Sequence, residues 1–162
     1  MAAREAQVTV RPAVDDDVPA LLPLVRAYAD FYESDPDDDG LIRMCRALIA
    51  NPEREGVLLA GCDGDGKVVG FAAMSWKWSS LRGARVGYLE DIFVDPAARG
   101  SGLAEELIAA CGERARERGA PALLWLTRPD NHRARAVYER VGASGEEFIE
   151  YELELGEPGA GG

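Results

Sequence analysis

The chain has one histidine, His132, and three cysteines, Cys45, Cys62 and Cys111, in 162 residues. A single histidine gives no histidine-rich ligand set. Three cysteines far apart on apolar segments fit reduced core thiols, not a disulfide frame or a metal site. A nucleophilic cysteine would need a basic partner, and His132, read as an exposed loop residue, is the only histidine to offer. Positive charge is also scarce, since 18 Lys and Arg against 29 Asp and Glu leave a formal net charge of −11. Such an acidic surface opposes nucleic acid and anionic membranes as partners. No apolar run has the length of a membrane span, and the opening MAAREAQ lacks a signal-peptide core, so the expected setting is cytoplasmic. The Gly-Lys-Ser/Thr ending of a nucleoside-triphosphate loop occurs nowhere.

What is present centres on Val86–Ala104, VGYLEDIFVDPAARGSGLA. An apolar strand breaks at Asp95-Pro96 and a glycine-rich turn then opens a helix. Such a turn is an anion site: small residues let backbone N–H groups approach a phosphate, and the helix dipole favours negative charge there. A dinucleotide fingerprint would want a third Gly or Ala three residues after Gly102, but Glu105 stands there.

The hydrophobic share of 47% is ordinary for a globular chain, and the length suits one domain with a sizeable core, expected over 1–156, before a disordered Gly/Pro tail at 157–162. Gln7–Pro12 alternates as a strand. Asp15-Asp16-Asp17 and Pro19 start a helix whose apolar stripe runs to about Tyr32. Asp37–Asp39 can cap a second helix, stopped by Asn51-Pro52. Gly56–Cys62 and Val68–Ser75 form a hairpin around Asp63-Gly-Asp-Gly66, with Trp76–Ser80 prolonging it. Val86–Val94 is the central strand. A helix from Gly102 ends at Gly119. Ala122–Thr127 is a strand covered on both faces, a helix capped by Asp130 or Asn131 ends at Gly142, and Glu147–Leu155 alternates as a last strand. The order β-α-α-β-β-β-α-β-α-β predicts a mixed α/β layer fold, a twisted sheet covered by helices.

Arg99-x-x-Gly102-x-Ala104 after Phe93-Val94 resembles the acetyl-CoA pyrophosphate loop of the GNAT N-acetyltransferases. Asn131, Ala134, Tyr138 and Gly142 match the same superfamily's Asn-x-x-Ala-x-x-x-Tyr-x-x-x-Gly helix, and Tyr88–Val94 is similar to the spermidine/spermine acetyltransferase branch. The resemblance spans Val8 to Leu155. It implies the GNAT fold: a mostly antiparallel sheet with helices on both faces, and a V-shaped splay between the strands ending at Val94 and Thr127. It implies acetyl-CoA as co-substrate, no metal, and a homodimer, with the C-terminal strand as a candidate interface. Arg99, Gly100, Ser101, Gly102, Leu103 and Ala104 would hold the pyrophosphate. Backbone groups of Ile92, Phe93 and Val94, with Asn131 and Ala134, would hold the pantetheine arm, and the Val94 N–H would face the thioester oxygen.

An alkyl ammonium, with a pKa of about 10.4, must lose a proton before it attacks. Glu90 is the first candidate base and Asp91 the second. As neighbours on a regular strand they would point to opposite faces, so that only one could face the cleft. Tyr138 is the candidate acid for the leaving thiolate, in direct transfer within a ternary complex. Tyr28, Phe31, Tyr32, Trp76, Trp78 and Trp125, with Glu90 and Asp91, suit a cationic acceptor. The acidic run Asp30–Asp39 is read as the cationic substrate's side, and Arg128, Arg133, Arg135 and Arg140 as the cofactor's. The expected activity is transfer of acetyl from acetyl-CoA to a primary amine of a small cationic metabolite, such as a polyamine or diamino acid. Acceptors of the protein, peptide or aminoglycoside kind are the alternatives within the class, and a non-catalytic acyl-CoA sensor is the alternative outside it.

Overall fold

The structure is a computed structural model and describes residues 7–157 and 159. Five strands lie in sequence order: β1 (Thr9–Pro12), β2 (Val57–Cys62), β3 (Val68–Ser79), β4 (Ala84–Val94) and β5 (Leu123–Leu124). All neighbours are antiparallel except β4 and β5. The helices are α1 (Val18–Phe31), α2 (Asp38–Ala50), α3 (Leu103–Glu117) and α4 (His132–Arg140). None among the described residues is long and apolar enough to cross a membrane.

The pleat sorts the side chains. Leu58, Ala60, Phe71 and Ala73 pack under α1 and α2 through Leu21, Val25, Leu41 and Cys45. Val57, Leu59, Ala72, Met74, Leu89 and Val94 pack under α3 through Leu103, Leu107 and Cys111. With both faces covered, β2 is buried at every position, which is why VLLAGC is continuously apolar. The three thiols are free and buried.

Arg11 on β1 grips Asp17, at the start of α1, with two bonds of 2.6 and 2.8 Å, and the Val14 N–H donates to the same carboxylate at 2.8 Å. α3 lies close to the sheet because glycines face it. A Cβ on Gly70 would come 2.9 Å from the Phe93 carbonyl oxygen and 3.2 Å from Leu103, and one on Gly61 would come 3.0 Å from Leu103.

Two expectations need correction. The strand predicted over Ala122–Thr127 shrinks to Leu123–Leu124, because β5 meets β4 only opposite Gly87 and Tyr88 before the two diverge. Glu147–Leu155 forms no strand. Its alternation gives it an apolar side, but a strand needs a ladder partner and no described strand pairs with it. Phe148, Ile149, Tyr151, Leu153 and Leu155 are all exposed. The predicted tail lies outside the described residues except for Glu157 and Gly159.

Candidate active site

Where β4 and β5 part they leave a cavity of about 600 Å³, walled by α1, β4, the turn before α3, the residues just after β5 and α4. The free edge of β4 forms its floor. The Asp95 N–H donates to Val69 O at 2.8 Å, so Asp95 and, two residues back, Phe93 turn their backbone polar groups toward β3. Val94 and Ile92 turn theirs toward the cavity. Phe93 is therefore a correction: its ring lines the cavity while its backbone is used in the ladder. The Val94 carbonyl accepts Arg99 Nε at 3.0 Å, whereas its N–H faces the gap.

The turn Arg99–Ala104 closes one end. Gly100 and Gly102 have φ of 81° and 83°, left-handed values at which a side chain is strained. A Cβ on either would meet no atom within 4 Å, so the space beside the turn is open. The Arg99 guanidinium lies 5.5 Å from the centre of the Phe93 ring. Burial lowers its pKa, and the nearby Arg133 charge lowers it further. Two cations thus face this end. Glu105, in the first turn of α3, is held by Arg140 at 2.8 Å and depressed in pKa by that bond, so its charge is paired.

β4 carries an irregularity at Glu90, the first candidate base. Leu89 pairs with Met74 and Asp91 with Ala73, so Glu90 is an extra residue in the ladder. Such a bulge breaks the alternation. Glu90 accepts a 2.6 Å bond from the Ser75 hydroxyl, and Ser75 shares its face with Ala73. Asp91 lies against Tyr28 of α1, whose hydroxyl also donates to the Glu90 carbonyl at 3.4 Å. Both carboxylates therefore sit on the α1 side, not on opposite faces as a regular strand requires. Glu90 lines the cavity and Asp91 sits behind Tyr28. Burial pushes the Asp91 carboxyl up, against the Tyr28 hydrogen bond, and the Glu90 charge adds to the rise.

Tyr138 projects from α4, its ring 5.3 Å from that of Trp125 and nearly perpendicular to it. Burial pushes its phenol up to about 12, with Tyr32 contributing, so it stays protonated at neutral pH. Burial, with the Asp91 charge second, pushes the Tyr28 phenol up as well. The Tyr28 and Tyr32 rings lie 5.0 Å apart, tilted by 55°, and Phe31 joins them on the wall. Asn131 caps α4 through the Ala134 N–H and donates to Thr127 Oγ1 at 3.3 Å, so it braces the helix as well as lining the cavity; Ala134 lines it too.

Trp76 and Trp78 fall outside the cavity lining. The Trp76 indole donates to Pro52 O at 2.9 Å and lies under Arg118, while Trp78 is 74% exposed. The acidic run is also displaced from its expected place. Asp35 and Asp38 pair with Arg26, and residues 35–39 line a separate hollow with that arginine. Leu126 lines the cavity without having had a sequence signal, and Arg128, expected on the cofactor's side, lies instead over the ring of Tyr32, outside the lining.

The sequence profile of the Acetyltransferase (GNAT) family matches residues 21–143. An uncharacterized N-acetyltransferase, YhfO, of Bacillus subtilis (strain 168) is 32% identical over 135 residues, which is 83% of this chain and 89% of that one. The thialysine N-epsilon-acetyltransferase of Bos taurus is 29% identical over 150 residues, 85% of each. In fold, the chain superposes with a TM-score of 0.81 on the aminoglycoside N-acetyltransferase AAC(6')-Iy, solved in complex with CoA, at 21% identity over 96% of this chain and 99% of that one.

Proposed function

The chain belongs to the GNAT acetyltransferase family and is an acetyl-CoA-dependent acyltransferase, and we propose that it acetylates a primary amine of a small cationic metabolite, a diamino acid or polyamine, by direct attack in a ternary complex. The observation that carries this reading is the free edge of β4, with the Val94 N–H turned into the cavity between Glu90 on one wall and Tyr138 on another.

Acetyl-CoA supplies the activated acyl group. The Gly100–Gly102 turn with Arg99 and Arg133 suits its pyrophosphate, and the Ile92 and Val94 edge suits its amide arm, as a strand added to the sheet. Glu90, backed by Asp91, takes the proton that the ammonium must lose. The C–N bond then forms as the C–S bond breaks, the Val94 N–H holds the carbonyl oxygen, Tyr138 gives its proton to the departing sulfur, and the attacking nitrogen's second proton passes to the Tyr138 phenolate, leaving a neutral amide. Loss of one oxyanion donor costs about 10²–10³ in rate. Among the named relatives, the thialysine enzyme favours the diamino acid form of this reading.

A homodimer belongs to the same proposal, supported by the exposed apolar side of Glu147–Leu155 beside a two-residue β5. Three unpaired, buried thiols support a reducing, cytoplasmic setting.

The test is thiol release from acetyl-CoA over a panel of lysine, putrescine, spermidine, an aminoglycoside and a short peptide. Turnover on lysine or the polyamines, cut about 10²-fold in Tyr138→Phe and in Glu90→Gln, is expected. Tight acetyl-CoA binding with no release on any amine would overturn the reading.

A further inference from the structure

Arg128 belongs by sequence position to the basic group expected around the cofactor, but the fold puts it elsewhere. Its guanidinium lies 5.1 Å over the ring of Tyr32. Tyr32 lines the cavity and is close enough to Tyr138 to raise its phenol. The arginine thus reaches across from the segment after β5 to the end of α1, against a ring that itself lines the cavity near Tyr138. It makes no ion pair among the described residues, whereas Arg140 in the same helix–loop segment is paired with Glu105. The acidic run that could have neutralised it is drawn to Arg26.

The acceptor end therefore has two poles. At one, Glu90 and Asp91 gather on the bulge side. At the other, an exposed, unpaired guanidinium is held in place by an aromatic face. The rings of Tyr28 and Tyr32, 5.0 Å between centres and tilted by 55°, lie between them, because the Tyr28 hydroxyl lies against Asp91 and donates to the Glu90 backbone carbonyl while Tyr32 carries Arg128.

We propose that Arg128 is a specificity-determining residue that binds a carboxylate on the acceptor, so that the substrate is an amino acid acetylated on a side-chain amine and not a simple diamine. This rests on the acyl-transfer reading above. A guanidinium in a fixed plane suits a carboxylate, which it can engage with two parallel bonds, and it repels the second ammonium of a diamine. The spacing of two rings selects a terminal amine, since an α-amine lies too close to its own carboxylate to reach both poles.

Lysine, lysinamide and cadaverine separate the possibilities, because they share the reacting amine and differ in the carboxylate. Initial rates of thiol release are measured for wild type, Arg128→Gln and Arg128→Lys, with melting curves and acetyl-CoA binding to establish that each variant is folded. Wild type is expected to favour lysine over cadaverine and lysinamide by about tenfold or more in kcat/KM, a difference of about 1.4 kcal/mol, expressed in KM. In Arg128→Gln the ratio falls to near one, and Arg128→Lys recovers part of it. Equal kcat/KM for the three amines in wild type, or an equal loss on all three in Arg128→Gln, would overturn the assignment while leaving the acyl-transfer reading standing. Failure of wild type to acetylate any amine would sink both.

Discussion

At the scale of single residues the site stores an electrostatic cost in Asp91. Burial raises its carboxyl above the usual 3.8, and the Glu90 charge adds to this. The folded protein then holds that proton to a higher pH than the unfolded chain does. The favourable contribution is full below the unfolded value and is lost as pH rises through the folded one. Asp91→Asn, which cannot ionise, should melt higher than wild type at pH 7 and lose the part of the acid-side pH dependence that Asp91 causes, while turnover falls. Melting curves from pH 3 to 7, run beside a kinetic assay, check this, and a lower melting temperature at pH 7 would contradict it. The same burial keeps the Tyr138 and Tyr28 phenols protonated, the form required to donate, and there it carries no charge cost at neutral pH.

At the scale of elements, two irregularities make the site. The bulge at Glu90 turns two carboxylates to one face, and the early divergence of β5 frees the edge of β4. A third feature couples the sheet to the anion turn. Gly70 lets Leu103, the first residue of α3, sit against β3. Gly70→Ala would press a methyl on the Phe93 carbonyl oxygen and on Leu103, and overpacking of this kind costs about 1–3 kcal/mol. The helix start should shift and carry the Gly100–Gly102 turn with it. A lower melting temperature together with a raised KM for acetyl-CoA is expected, and destabilisation with an unchanged KM would show that the turn is independent of this contact. The helices were legible from their caps and stripes: Asp37 caps α2 through Gly40, and Asn131 caps α4. The bulge was not, because an inserted residue changes pairing without changing the apolar pattern around it.

At the scale of the molecule, the segment after α4 stands apart. Tyr151, Leu153 and Leu155 are each more than 80% exposed, and none belongs to either core. The proposed homodimer would cover these apolar groups with another chain. Removal of residues 147–162 should leave the two cores intact, so the truncated chain remains folded by circular dichroism. Light scattering should show two chains for the full-length protein and one for the truncated form. A full-length monomer would remove the dimer from the proposal.

The sequence by itself determined the helices, the first four strands and the family. Period and capping chemistry are local, and the Arg99–Ala104 and Asn131–Gly142 spacings act through short stretches of backbone, so both can be read without the fold. Tertiary structure decided which side chains share a space. It brought Tyr32 and Arg128 together, turned Glu90 and Asp91 to one face and gave Asp35 and Asp38 to Arg26. It also moved Trp76 and Trp78 off the cavity and left Glu147–Leu155 without a partner. These outcomes depend on register, bulges and the angle at which strands part, which are set by packing between segments far apart in the chain.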